Sequence, residues 1–396
     1  MGPHMSEGPS TPAPSAVPGR DCLTELTIVV FTRSRPDYAR RQANYWSEKA
    51  ATLWVFDNGE CPWPEYSRES LGSNVHYEHD PGGFYRQILR SAEVVSTKYA
   101  VLVDDDNMLI ERGLRSCIAH LDKAPEVVAV MGQAAGLAYS RGHVVISPAY
   151  RANFDYSNDS VNAVDRVRCQ LAPYRCTGWY AVQRRPVFQR LIPLIAEVAA
   201  ASPCAYASEI ALEVGLVVLG PTSTARELTI LRSAENAPES DANHSRELSF
   251  SQWWLDPQHT DETEAFLSAM SRHLGLDSVD SLTLAEELSR FARADSTPKR
   301  KLARILASPA VKLVTSRLSP HLRSRIARMP SRARLVLHVT LGRARRLGST
   351  PSYVVVGVES ADGADPFFEI LRPSTDLSNT LAFVRSFHCN RSSETG

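Results

Sequence analysis

The sequence predicts an α/β fold built on a doubly wound, mainly parallel sheet, followed by a mainly helical, basic C-terminal region. Two observations carry the first part. Short apolar, β-branched runs recur at 26–31, 51–56, 75–78 and 99–103, and helix-forming stretches separate them. Strands alternating with helices over about 100 residues are the pattern of a parallel sheet with helices on both faces. The third observation concerns 296–350, which holds fourteen Lys or Arg and no Asp or Glu.

The elements follow in order. Leu26–Phe31 reads as a buried parallel strand. A helix opens at Pro36-Asp37, where the missing Pro N–H does no harm, and runs to about Lys49. Ala51–Phe56 is the next strand, stopped by the turn signal Asp57-Asn58-Gly59. Val75–Glu78 is a third. Gly82-Gly83 then breaks the chain before a helix from Phe84 to about Ser96. Tyr99–Val103 is a fourth strand and ends directly in Asp104-Asp105-Asp106. A helix at Glu111–Lys123 and a strand at Val127–Met131 follow. Loops and short strands are expected over 139–157, then a helix from Asn162 to Leu171 and a strand at Arg175–Gln183. A helix at Arg185–Ala200 is expected to be interrupted near Pro193. Ser208–Val214 reads as a short helix with Ser208 as N-cap, and Val217–Leu219 as a last strand. Residues 233–262 read as irregular. Helices at Glu262–Leu274 and Leu282–Ala294, and strands at Tyr353–Val358 and Phe367–Leu371, lie beyond a boundary near 260. The expected organisation is a tag remnant and disordered stretch at 1–22, an α/β domain at 23–260 and a helical, basic accessory region at 261–396.

Composition excludes several classes. The chain has 396 residues, 43% hydrophobic and 22% charged, with a formal net charge of zero, which fits a globular protein without a global polyanion-binding charge. Seven Cys are scattered with no CxxC pair, so a zinc module is disfavoured and reduced thiols in a cytoplasmic protein are expected. No run of about 18 apolar residues exists to span a membrane. Neither GxGxxG after the first strand nor GxxxxGK[ST] occurs, which disfavours a dinucleotide dehydrogenase and a P-loop enzyme.

Ligands of doubly wound sheets sit beyond the carboxyl ends of the strands. Thr32-Arg33, Asp57-Asn58 and Asp104–Asp106 all fall at such ends, so the topology brings them to one rim. Three adjacent carboxylates repel one another, and a hard dication relieves that repulsion; Mg²⁺ or Mn²⁺ prefers such oxygen ligands. If the strand geometry persists, Asp104 and Asp106 face one way and Asp105 the other. Asp106 then reads as a metal ligand and Asp104 as a ribose or metal contact. The alternative is a solvated acidic turn.

On these residues, Thr27–Gln133 resembles the nucleotide-sugar domain of inverting glycosyltransferases with the GT-A fold, family 2 and its relatives. TIVVFTRSRP is similar to the family's first strand and loop, VFDNG to its second strand, and DPGGFYRQILRSAEVVSTKYAVLVDDDN to its glycine, helix and DxD block. The GGF segment and the DDD triplet are also similar to galactofuranosyltransferases. DRVRCQLAPYRCTGWYAVQRRPVF and TAREL extend a weaker likeness, to a bacterial subgroup, as far as residue 232. The resemblance implies a UDP-linked or similar nucleotide-sugar donor, Mn²⁺ or Mg²⁺, a hydroxyl acceptor (a glycan, a lipid-linked saccharide or a small molecule) and inversion. Thr32 and Arg35 would line the nucleotide pocket, with the choice between Arg33 and Arg35 open because an Asn is common in this loop of the family. Asp57 would meet the base. Gly82, Gly83 and Arg86 would approach ribose and phosphates, and Asp104 and Asp105 the donor, against the alternatives of an ordinary turn and a solvated helix face. Glu209 in ASEIALEVG matches the family's general base, with Glu213 in reserve; its other reading is a complement to the helix dipole. Trp179 and Tyr180 are either a sugar platform or core. His244 is either a late metal ligand or a solvated loop residue.

The basic segment 296–350 reads either as a helical subdomain packed on the catalytic unit or a dimer partner, or as an amphipathic surface on an anionic membrane. No nucleic-acid reader motif accompanies it. Two other function classes compete with the glycosyltransferase. A sugar nucleotidyltransferase would need a glycine-rich loop that FTRSRPDYAR lacks. A docking protein with a vestigial transferase domain sits poorly with the intact triplet and Glu209.

Overall fold

Strand β1 (Leu26–Thr32) sits inside the sheet, buried at all but one of its residues, as a central parallel strand demands. It pairs in parallel with β2 (Thr52–Asp57) on one side and β4 (Tyr99–Asp104) on the other, and β3 (Val75–His79) continues the parallel block beyond β2. The register sets Thr32 opposite Asp57 and Phe31 opposite Asp104. The three polar clusters therefore share one rim, as the sequence predicts.

The computed structural model describes residues 21–33, 35–140, 143–172, 174–233, 248–295, 353–355, 371 and 374–394. Beyond β4, the short β9 (Val182–Arg184) runs antiparallel between β4 and β6 (Ala129–Ser140). β6 pairs antiparallel with β7 (His143–Ala149) and parallel with β10 (Thr222–Ser233). Short β5 (Met108–Leu109) and β8 (Ser157–Asn158) lie antiparallel against β10, and β11 (Tyr353–Val355) lies parallel to β7. The β5–β10 pairing matters most for the site. It sets Leu231 against Met108, so the end of β10 lies beside the acidic triplet.

Helices pack against this sheet. α1 (Pro36–Trp46) lies on β1 and β2, α2 (Glu65–Glu69) and α3 (Phe84–Val94) follow, and α4 (Glu111–Lys123) lies on β6 and β10. α5 (Ala163–Leu171) is capped by Asn162, whose side chain accepts from the Val164 and Asp165 N–H groups. α6 (Arg185–Ala201) packs on α3 and on α7 (Ala205–Leu219). α8 (Phe250–Leu255), α9 (Thr260–Leu274) and α10 (Ser278–Asp295) follow, and α11 (Thr375–Glu394) is the last described helix. α9 packs on α6 and α7, with Arg272 and His273 both on Glu197, and Arg190 donating to the His273 carbonyl. The α/β class and the mainly parallel sheet are as expected.

Several boundaries differ for identifiable reasons. The strand expected at Arg175–Gln183 shrinks to Val182–Arg184, because the N–H groups of Thr177 and Gly178 are taken by the Glu213 carboxylate instead of a strand. Val217–Leu219 is the end of α7, not a strand; a short apolar run does not distinguish a buried helix from a buried strand. Ser208 is inside α7, whose cap position is Cys204. α6 continues through Pro193. Residues 134–140 and 143–149 pair antiparallel over seven positions, a longer ladder than the loops and short strands expected over 139–157. Within the supposedly irregular 233–262, Ser249 and Gln252 form a reciprocal capping box that starts α8. The basic segment 296–350, His244 and residues 367–370 lie outside the described residues. Among the described residues no helix is long and apolar enough to cross a membrane.

Candidate functional site

The triplet divides into two environments. β4 ends at Asp104, so the side-chain alternation of a strand stops there and Asp105-Asp106 form a turn. Asp105 is 0% exposed. Its Oδ2 accepts from Thr32 Oγ1 at 2.7 Å and from Arg35 Nε at 3.1 Å, while Arg35 Nη2 meets Oδ1 at 2.9 Å. Burial pushes its carboxyl up to about 7 despite the opposing pull of Arg35 and Thr32. Asp106 turns toward the same guanidinium, at 3.3 Å from Arg35 Nη1. The expectation that Asp106 would face with Asp104 is therefore corrected: Asp106 follows Asp105 to Arg35. Of the two arginines of the first loop, Arg35 meets the triplet and Arg33 is exposed at the strand end.

Asp104 points elsewhere. Its Oδ2 accepts from Tyr180 Oη at 2.6 Å and Asn107 Nδ2 at 2.9 Å, and its Oδ1 from Trp179 Nε1 at 3.3 Å. The ring pair expected as either platform or core thus holds the carboxylate. Asn107 also accepts from the Ser233 N–H at 2.7 Å, which ties the triplet to the end of β10. Asp104 opens onto a cleft of about 510 Å³, and Glu209 lines the same cleft. Tyr150, Tyr174, Trp179, Tyr180 and Tyr206 supply aromatic surface, and Arg175 and Arg232 supply cations. Neither Asp105 nor Asp106 lines it.

Glu209 stands in the second turn of α7, too far from the N-terminus for a dipole role, which fades within the first turn. The Tyr174 hydroxyl donates to Glu209 Oε1. Glu213, one turn on, is fully buried and accepts from Gly178 N at 2.7 Å, Thr177 N at 3.0 Å, Gln170 Nε2 at 2.7 Å and Thr177 Oγ1 at 3.2 Å. Burial still pushes its carboxyl up to about 7. Glu213 therefore fixes the 177–178 loop that presents Trp179 and Tyr180, and Glu209 faces the cleft.

Asp57 is buried, with Oδ1 accepting from the Gly59 N–H and Oδ2 from the Tyr77 hydroxyl, both at 2.8 Å. Gly82 has φ +71°, a conformation that favours glycine, and Gly83 precedes α3 with Asp80 so close that a Cβ would lie 1.8 Å from its Oδ2. Arg86, 72% exposed, forms a two-point pair with Asp80 at 2.6 and 2.8 Å. These groups lie by the ends of β2 and β3 and do not line the cleft.

Sequence reading missed Tyr150, Tyr174, Arg175, Tyr206 and Arg232. Arg232 comes to the triplet only through the β5–β10 pairing, and no spacing rule signals that. Tyr150 carries a positive φ of 46°, uncommon for a tyrosine, and its ring lies 5.1 Å from the Arg232 guanidinium. Burial disfavours the charge on Arg232, but Tyr150, Tyr180 and Asp104 outweigh it and hold the group protonated.

No family model matches the sequence, and no curated protein matches it. Among solved structures it is similar to S. aureus TarS 1–349 at 12% identity and a TM-score of 0.39, over 86% of this chain and 99% of that one. It is similar to TarS 1–349 in complex with UDP-GlcNAc over the same shares, at 12% identity and a TM-score of 0.40. A further TarS structure matches at 12% identity and a TM-score of 0.37, over 85% of this chain and 59% of that one. A likeness this distant carries no conclusion about activity.

Proposed function

We propose that the protein is a glycosyltransferase that moves a sugar from a nucleotide-sugar donor, UDP-linked by the resemblance of its first 100 folded residues, to a hydroxyl acceptor with inversion. The observation that carries this reading is the cleft itself. Asp104, at the end of a central parallel strand, and Glu209, on α7, line one aromatic-walled cavity at the rim where such sheets bind ligands.

A divalent cation belongs to this proposal. Asp104 lines the cleft and its Oδ1 meets its single donor at a long 3.3 Å, so it suits a hard cation; Asp106, the second candidate ligand, would have to leave Arg35 to join it. Among the described residues no three His, Cys, Asp or Glu side chains converge to hold a metal. Mn²⁺ or Mg²⁺ would therefore draw its other ligands from phosphate oxygens and water, as Mg²⁺ commonly does. When bound, such an ion neutralises charge on a departing diphosphate.

The chain's own residues have separate tasks. Thr32 and Arg35 fix Asp105 and so the turn that aims Asp104. Trp179 and Tyr180 orient the Asp104 carboxylate and offer it hydrogen bonds. Glu209, held by Tyr174, accepts the acceptor hydroxyl proton as the new bond forms on the face opposite the leaving group. Asp57 and the Gly82–Arg86 segment serve the base and ribose at the adjoining rim.

The test is release of nucleoside diphosphate from a panel of nucleotide sugars with Mn²⁺. The wild-type chain is expected to turn over at least one donor, and Asp104→Asn to lose that activity. Pyrophosphate as the product would replace this reading with nucleotidyl transfer, and absence of both donor binding and turnover would overturn it.

A further inference from the structure

Arg232 and Arg175 make the cleft a receiver of negative charge in addition to a diphosphate. Arg232 lines the cleft, yet its guanidinium has no hydrogen bond and no carboxylate within 4 Å among the described residues. It lies over the face of Tyr150, which holds the guanidinium without using its N–H donors. Elsewhere arginines of this molecule are engaged: Arg35 on Asp105, Arg86 on Asp80, Arg115 on Asp21, Arg168 on Glu287, Arg272 on Glu197. Arg175, also on the cleft lining, repeats the Arg232 arrangement. Its guanidinium lies 4.5 Å from the Tyr156 ring, and its buried Nε has no hydrogen-bond partner. A buried donor left unmade is costly, and a planar guanidinium held against an aromatic face is pre-set for two-point recognition of an oxyanion. Arg175 also follows directly on Tyr174, which holds the general base, so it stands on the acceptor side of the cleft.

Resting on the glycosyltransferase reading above, we infer that the acceptor is anionic: a hydroxyl compound bearing a carboxylate or phosphate group, which Arg232 and Arg175 bind while its hydroxyl meets Glu209. Arg175 neighbours Tyr174, and Arg232 also lies near Asp104, so the acceptor role is separated from the donor role by measuring UDP in parallel.

The test uses the full chain and two matched pairs of probes, glucuronate against glucose and glycerol 1-phosphate against glycerol. Binding of each is measured by calorimetry or ligand-observed NMR, with UDP plus Mn²⁺ measured in parallel. The anionic member of at least one pair is expected to bind about tenfold or more tightly than its neutral partner, from charge-assisted hydrogen bonds. Arg232→Ala and Arg175→Ala should each erode that preference and leave UDP binding within about twofold, and Arg232→Lys should retain part of it. Circular dichroism of each variant establishes that it is folded. Equal binding of charged and neutral members, or a preference that survives both alanine substitutions, would overturn the proposal. So would an Arg232→Ala chain that loses UDP as strongly as it loses the anion, since the guanidinium would then belong to the donor. Anion preference without any nucleotide binding would sink the donor reading and leave the oxyanion site standing.

Discussion

Glu209 and Glu213 stand one helical turn apart, and their surroundings assign them opposite duties. Glu213 takes four donors and is closed to solvent; Glu209 meets the Tyr174 hydroxyl and lines the cleft. Glu209→Gln is expected to lower kcat about 10²–10⁴-fold with little change in KM or in unfolding midpoint, measured by nucleoside diphosphate release. Thr32→Val leaves the buried Asp105 without one of its donors and should cost about 1–3 kcal/mol of stability, read by urea unfolding. At this scale the sequence shows the residues it can place on a rim by strand position: Thr32, Asp57, Asp104. It does not show side-chain direction where the strand stops, which is why Asp106 and Arg35 find each other unannounced. Nor does it show Arg232, whose neighbours in space are about 125 residues away in sequence at Asn107.

At the scale of elements, alternation of apolar runs with helical stretches makes the β1–β4 block legible, because its central strands β1 and β4 are buried on both faces. The half after residue 129 is harder to read. There a carboxylate competes with a strand for the 177–178 N–H groups, and a helix as apolar as α7 conceals its period. α8 depends on its reciprocal cap, so Ser249→Ala should cost about 1 kcal/mol in denaturant unfolding. α11 leans on α1 through Tyr45–Thr380 at 2.7 Å, Tyr45–Phe383 and Tyr38–Phe387, and Phe387 lies 5.0 Å from the Arg41 guanidinium. Arg41 Nη2 in turn donates to the Asp106 carbonyl at 2.5 Å. Phe387→Ala is expected to lower stability by about 1–2 kcal/mol and to weaken donor binding more than a surface substitution does, measured by thermal unfolding with and without UDP and Mn²⁺.

For the whole molecule, buried and paired carboxylates set a stability curve with two limbs. Burial raises Glu213 from 4.5 to about 7, so folding favours its protonated form. That contribution is full below the unfolded value and is lost as pH rises through about 7. Asp105, raised to about 7 for the same reason, adds the same sign. Asp21, Asp122 and Glu197 are held low chiefly by Arg115, Lys98 and Arg272, and their contribution disappears as pH falls through the acid range. Urea midpoints are expected to peak near pH 5 and to fall toward pH 8, by about 3 kcal/mol at most from Glu213. Glu213→Gln should flatten that alkaline limb, and an unchanged slope would show that the carboxyl is ionised throughout.

Tyr45 and Thr380 are separated by 335 positions along the chain. A ribosome adding about 5–20 residues per second needs roughly 20–70 s to travel that distance. Throughout that interval the aromatic side of the first helix waits for a covering that has not been made, so the nascent protein carries a sticky patch until α11 has been synthesised.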